Sequence, residues 1–390
     1  MDSRLLLETI AQIGRKHSSR PALDTIEIFE HYFDEDTGLP TDLDRRDGAC
    51  TRRELLLRYL LLNAVLDQGP DSEGVRLFLT RVTNELYRQE VRFLHKPEIF
   101  FRELGIAVDQ IASVHEAVKE LRAADWARIN LSDATKYNLF LDKAQQVLSY
   151  TVFRWGTPLA IPLLLTHDEP DEDRRPEVLF RYVRECKSAE IMSRQLKKHL
   201  RYGLGKAVGY KATHLYAKWI IHTFPLVERD DSGWGSFGSE TPFDSNAGRV
   251  LWRTGFLLEW ATLQEYIKWE VVQVGKGKKE TNYIRVTNIR EEKSTVAKAD
   301  PQLFEIYRDL CVNYLKVNTR KPRSVEIQRI PLVLLFDGGR YTPGELDDGL
   351  MYIGTHFCFN HIEPLCPQCP IHHLCQGYQE DRALITNYRT

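Results

Sequence analysis

A mainly α-helical chain in two lobes, with one inserted β-hairpin and a cysteine-rich loop near its end, is what the sequence predicts. Three observations carry this. Helix signals recur at short intervals from residue 51 to beyond residue 200, a single alternating stretch interrupts them at 270–287, and four cysteines fall within eighteen residues near the C-terminus. Helices joined by short loops form bundles. A chain of 390 residues is long enough for two lobes, each with a core of its own.

Composition narrows the class. Hydrophobic residues make up 43% and charged residues 28%, as in globular proteins rather than disordered ones. No apolar run approaches the roughly 20 residues a membrane helix needs, so no membrane partner is expected. The start, MDSRLLLETIAQIGRKH, lacks the layout of a signal peptide. Seven cysteines, four of them packed together, point to a metal site in a reducing compartment. The expected location is the cytoplasm, in association with the nucleoid, and the expected state is a monomer.

Residues 1–50 hold one helix and a Gly/Asp/Pro-rich passage, Asp34–Asp47, and read as an N-terminal accessory extension. Residues 51–225 read as a helical lobe. Thr51-Arg52-Arg53-Glu54 forms a capping box, and the following ELLLRYLLLNAVL is apolar on nearly every side, which marks a helix buried in a bundle. Asp67-Gln68-Gly69-Pro70 stops it, and VRLFLTRVTNELY resumes helical spacing. Pro97 opens a further helix, Ser113 to Glu116 makes a second capping box, and Ser132–Tyr150 reads as a long helix. After the charged, proline-bounded loop His167–Pro176, a helix starts at Pro176 and a basic one covers Ser188–Tyr202.

The rest of the chain is arranged around Gly203–Thr254. GLGKAVGYKATHLYAKWIIHTF runs from a glycine-punctuated turn into a helix, and such a junction points unpaired N–H groups outward with the positive end of the helix dipole behind them. Phosphate suits that junction. Between Lys187 and Lys218 stand eight Lys or Arg and one acid, Glu190, in a chain of formal net charge −2. Lys197, Lys198, Gly205, Lys206, Gly209 and Tyr210 therefore read as DNA-contacting residues on a local basic face. Residues 226–390 form the second lobe. It contains a Gly/Ser-rich insertion, Glu228–Thr241, then Asp244 directly before a helix, then a hairpin over Glu270–Thr287. Lys276, Lys278 and Lys279 at the hairpin tip either grip DNA backbone or simply keep the tip solvated. Arg329–Phe336 reads as a buried strand or core helix.

Cys358, Cys366, Cys369 and Cys375 give one close pair flanked by single cysteines. A zinc ribbon presents two close pairs, whereas a [4Fe–4S] cubane takes one thiolate on each of four irons. Zinc held with His356, His361, His372 or His373 is the alternative. Cys50, Cys186 and Cys311 read as buried small hydrophobes.

Val208-Gly209-Tyr210-Lys211-Ala212-Thr213, followed by Phe243-Asp244-Ser245 and Arg249-Val250, resembles the helix-hairpin-helix/Gly-Pro-Asp superfamily of DNA glycosylases. The four cysteines resemble the iron–sulfur loop of its endonuclease III branch, with one residue of difference in the first gap. Two departures stand out: Ala207 replaces the first glycine of the hairpin, and Lys211 and Asp244 lie further apart than is usual in the family. A register on Gly203-Leu204-Gly205 would instead put Lys206 near the lysine slot.

The resemblance implies a two-lobed helical glycosylase fold and an enzyme that flips and excises a damaged or modified base from double-stranded DNA. It implies Asp244 and Lys211 as catalytic residues, Gln68 as the plug that fills the hole left by the flipped base, and a [4Fe–4S] cluster on Cys358, Cys366, Cys369 and Cys375. Taken by themselves the residues leave choices open. Asp244 stabilises a sugar cation or caps a helix. Lys211 is a Schiff-base nucleophile, with associated AP-lyase activity, or a phosphate contact. Gln68 is a plug or part of an ordinary turn, and Tyr210, Trp234 and Phe237 are candidates for a base pocket. The biological setting is base excision repair or defence against modified foreign DNA. The alternatives are a non-catalytic DNA-binding iron–sulfur protein and a metal-dependent nuclease of another fold.

Overall fold

A helix with fourteen buried residues in fifteen needs neighbours on all sides, and the fold around Arg52–Leu66 supplies them. This helix (α2) leaves only Arg53 incompletely covered. In this computed structural model the described residues are 2–67, 72–125, 128–132, 156–186, 189–205, 208–227, 241–242, 245–256, 271–273, 284–286, 340–359 and 363–379. They are mainly helical and fall into two compact units, Arg20–Ser239 and Met1–Ser19 with Glu240–Thr390. Residues 1–50, read as one extension, are divided between the two. Among the described residues no helix is long and apolar enough to cross a membrane.

The first unit is a helical bundle with α2 at its centre. Around it lie α3 (Ser72–Arg88), α4 (Pro97–Glu103), α5 (Val114–Ala123), α6 (residues 156–168), α7 (Val178–Glu185), α8 (Ala189–Lys198) and α9 (Tyr210–Lys218). A π-helical turn, Trp219–Thr223, prolongs α9. Pro97 occupies the first turn of α4. The Ser113 hydroxyl accepts from the Glu116 N–H, as its capping box predicts, while the Glu116 carboxylate reaches back to the Ala112 N–H. The charged helix α8 stops at Lys198, four residues before its expected end, because the chain turns back through Gly203 N–H to His199 C=O and Leu204 N–H to Leu196 C=O. A short antiparallel pair, β1 (Arg46–Asp47) with β2 (Cys50–Thr51), leads into α2.

The capping box at the start of α2 forms only by half. Thr51 Oγ1 accepts from Glu54 N–H at 3.3 Å, but the Glu54 carboxylate is turned inward instead of back to Thr51. It accepts from Leu179 N–H at 3.0 Å and Phe180 N–H at 2.9 Å, so it caps α7. Arg58 Nε closes the pair at 2.8 Å, and Arg58 Nη1 donates to the carbonyls of Leu94 and His95. A buried charge must be paired and hydrogen-bonded, and α7 offers the N–H groups that make this possible.

In the second unit α1 (Ser3–Lys16) lies along α11 (Pro343–His356), and α10 (Ser245–Arg253) packs on α11 as well. Two glycines allow the close crossing. A Cβ at Gly14 would stand 1.8 Å from Glu345 C=O, and one at Gly349 would stand 1.9 Å from Ile10 C=O. Thr342 and Glu345 complete a reciprocal capping box at the head of α11. Arg15 bonds both Glu345 Oε1 and Arg340 C=O at 2.6 Å. The expected hairpin is present as β3 (Val271–Gln273) paired antiparallel with β4 (Ile284–Val286), Val272 opposite Arg285. The greater part of the expected helix Ser132–Tyr150, the insertion at 228–240, Lys276, Lys278, Lys279, Cys311 and Arg329–Phe336 lie outside the described residues.

Glu54→Ala should destabilise the protein by about 3–5 kcal/mol, because Arg58 is left buried without its partner and α7 loses its cap. A urea denaturation midpoint equal to that of the parent would show that the pair is dispensable.

Candidate functional site

The hairpin between α8 and α9 is built from the residues the sequence singles out. Gly205 sits at φ +56°, in the left-handed region that favours glycine, and turns the chain. Leu204 and Val208 are buried and anchor the turn on the bundle core. Gly209 has extended backbone and caps α9 without a side-chain bond. A Cβ added there would meet nothing within 4 Å, so packing within the chain does not require the glycine. The helix begins at Tyr210, which puts Lys211 on its first turn; Lys206 lies outside the described residues.

Lys211 points back to the end of α2. Its Nζ donates to Asp67 C=O at 3.4 Å and stands 4.0 Å from Asp67 Oδ1. The Lys211 side chain is 22% exposed and that of Asp67 only 3%. Arg76 Nη2, from α3, reaches the other carboxylate oxygen at 3.3 Å. Asp67 directly precedes Gln68, which is outside the described residues. The Tyr210 ring stacks on His214, with centroids 6.0 Å apart.

The cations expected to form one basic face are distributed by the fold. Lys197 spends its ammonium on the carbonyls of Gly205 and Val208, bracing the hairpin. Arg201 grips Asp168 with two bonds of 2.6 Å, and Lys218 is buried. Arg194 and Lys198 are exposed, and Lys187 lies outside the described residues. Sequence reading missed the role of Lys197, since nothing local distinguishes a bracing lysine from a solvated one.

In the other unit, α10 begins one residue after Asp244, itself outside the described residues, and carries two arginines one turn apart. Arg249 donates to Cys358 C=O at 2.5 Å and to Gly354 C=O at 2.8 Å, filling carbonyls left unpaired at the end of α11. Arg253 donates to Phe359 C=O at 2.6 Å and to Cys358 Sγ at 3.3 Å. The C-terminal segment returns to the same helix end, with Cys375 Sγ donating to Arg253 C=O at 3.4 Å.

Cys358, Cys366, Cys369 and Cys375 line one cavity of about 470 Å³, part of it open to solvent, together with Val250, Ile353, Phe357 and Ile371. Burial pushes the Cys369 thiol up to about 12 and the Cys375 thiol to about 11, and the neighbouring cysteines push the same way. Burial also raises Cys366, against the Arg253 guanidinium. Of the four histidines named for zinc, His372 lines the cavity, with its Nδ1 2.8 Å from Cys369 C=O; His356 packs on Tyr352, His373 is exposed, and His361 is outside the described residues. Among the described residues no three His, Cys, Asp or Glu side chains are grouped so as to hold a metal ion. Four thiols line one apolar cavity, with the Arg253 guanidinium on the Cys358 sulfur, and that donor set matches in number what a four-thiolate group takes. Cys50 and Cys186 are buried elsewhere, each raised to about 11 by desolvation. The chain has no match among known protein families, curated proteins or solved structures.

Lys197→Met should speed amide exchange across residues 203–209 about ten-fold or more, because bonds from a charged donor are worth about 1.5–3 kcal/mol each. Lys198→Met should leave that exchange unchanged. Equal behaviour of the two variants, read by hydrogen-exchange mass spectrometry, would remove Lys197 as the brace.

Proposed function

We propose that the protein is a DNA glycosylase that flips a damaged or modified base out of double-stranded DNA and cleaves its N-glycosidic bond, acting as a monomer in the cytoplasm near the nucleoid. One observation carries the reading: the helix that begins directly after Asp244 also bears the two arginines that hold the four-cysteine loop. The helix that follows Asp244 and the cysteine loop, two of the segments in which the resemblance lies, thus meet within one compact unit. The half-buried Lys211 on the first turn of its hairpin helix supports the same reading.

In this mechanism the bond from C1′ to the base nitrogen breaks, and its electron pair leaves with the base, which takes up a proton. Positive charge builds on the sugar, and the Asp244 carboxylate stabilises it. The neutral amine of Lys211 gives its lone pair to C1′. Opening of the ring C1′–O bond, with a proton delivered to the oxygen and one lost from nitrogen, leaves an iminium. Loss of a C2′ proton and departure of the 3′ phosphate nick the strand, and water then releases the lysine. Gln68 fills the gap in the stack, and the hairpin N–H groups, with Lys198, Lys206 and Tyr210, hold the backbone. Cys358, Cys366, Cys369 and Cys375 would hold a [4Fe–4S] cluster, which when bound supplies structural cross-linking of the C-terminal loop.

Duplexes bearing different modified bases, incubated with enzyme and heated in alkali, should break at one of those bases. Asp244→Asn should keep the fold and the duplex affinity but lower excision by about 10²–10³-fold, as removal of a transition-state charge partner does. No abasic product from any duplex would favour a DNA-binding protein without catalysis, and undiminished excision by Asp244→Asn would leave Asp244 as a helix cap. The protein purified without air should be brown, with a broad absorbance at about 400 nm from thiolate-bound iron. A colourless protein holding one zinc ion would exclude the cluster.

A further inference from the structure

Lys211 occupies a position of opposed electrostatics. Its place on the first turn of α9 sets it at the positive end of that helix, which disfavours an ammonium. Partial burial disfavours it too. Against both stands Asp67, 3% exposed, whose carboxylate lies 4.0 Å from the lysine nitrogen and whose main-chain carbonyl accepts its proton at 3.4 Å. The backbone makes this pairing firm. Asp67 ends the buried helix α2, its N–H bonded to Asn63 C=O at 2.9 Å, so the carboxylate is delivered by the most enclosed element of the unit. Arg76 holds the second carboxylate oxygen at 3.3 Å and is itself placed over the buried Trp219 ring.

We propose that Asp67 is the counter-ion of Lys211, a positioning residue that orients the resting ammonium and then stabilises the charged iminium formed on the same nitrogen. The inference rests on the reading of Lys211 as the amine nucleophile. The charge it matches stands on the nitrogen both before and after the attack. The ammonium carries one positive charge at Nζ, the attacking amine none, and the iminium one again. A fixed anion at about 4 Å favours both charged forms over the neutral ones. A protonated iminium is the better electron sink when the C2′–H bond breaks, so the carboxylate assists strand nicking more than base release. Arg76 moderates this: by sharing the carboxylate it keeps the lysine from being held as an ammonium so firmly that the amine is never available.

The other charged groups described on the neighbouring elements have partners or places of their own. On α2, Glu54 and Arg58 are paired with each other roughly three turns away. On α8, Lys197 is committed to the hairpin carbonyls. Along α9, His214 stacks on Tyr210, and Lys218 is buried two turns on. Among the described residues, Asp67 is the carboxylate set against Lys211, and Arg76 shares it.

The test uses the full-length protein, a duplex with a single abasic site, and cyanoborohydride, which reduces the iminium to a permanent crosslink. Crosslink yield against pH should be bell-shaped, with the acid limb set by deprotonation of the amine and the alkaline limb by loss of the iminium proton. Asp67→Asn should move the whole bell down by about one pH unit, because both charged forms lose the anion that favours them. Arg76→Gln should move it up, which keeps the proposal testable should Asp67→Asn fold poorly. A bell that changes height but not position in both variants would make Asp67 a packing residue and leave the glycosylase reading intact. A parent enzyme that excises a base yet forms no crosslink would overturn Lys211 as nucleophile, and the counter-ion with it.

Discussion

The physical constraint on which the Arg20–Ser239 unit depends is that α2 is enclosed along its length and yet carries charge. A helix so buried tolerates Glu54 and Arg58 only as a pair whose remaining hydrogen-bonding capacity is used. The pair does this by reaching outward. Glu54 takes the first N–H groups of α7, and Arg58 takes the carbonyls of Leu94 and His95. Two segments distant in sequence are tied to one end of α2 by bonds that cannot be remade in water. The other end of α2 is thereby fixed as well, and that end presents Asp67 to Lys211. The geometry of Lys211 is inherited from the placement of that helix.

The second unit reaches rigidity by a different route. Its long helices approach closely because Gly14 and Gly349 bring no Cβ to the crossing. The exposed carbonyls at the end of α11 are then bonded by Arg249 and Arg253 from α10. Guanidinium groups suit this work, since one planar fork serves several acceptors without giving up its charge. The same fork leaves a positive group beside the Cys358 sulfur, where it pulls the Cys366 thiol down against the burial that raises Cys366, Cys369 and Cys375. Proton loss from those thiols is what a metal group must bring about on binding.

Much of the fold was legible in the sequence, because buried helices and their caps leave local signals. The uninterrupted apolar run of α2, Thr51 before it, Pro97 and Ser113 each marked what the structure contains. The start of α11 carries a signal of the same kind, Thr342-Pro343-Gly344-Glu345, which went unread. What was not legible depends on distance. Nothing within Ser3–Lys16 says that it packs on residues some 330 positions away. Glu54 looked like half of a capping box, since the competing donors on α7 lie 125 residues on. For the candidate site, the hairpin and cysteines could be found by motif, whereas Asp67 could not, because its partner is chosen by tertiary packing.

Charge counting along the sequence does not show which of the basic residues are paired within the fold. Sequence alone sets out eight cations with one acid between Lys187 and Lys218 and invites a picture of one phosphate-binding face. Four of them are engaged within the fold: Lys197 braces the loop, Arg201 pins Asp168, Lys211 turns to Asp67, and Lys218 is buried, while Arg194 and Lys198 stay exposed. Cations used in this way release few counterions when a duplex binds. Their contribution is to hold the hairpin backbone in one shape, with Gly209 open in front of it. A backbone already ordered presents its N–H groups without a further entropic cost on binding. In this hairpin, the positive charge of Lys197 works inside the protein.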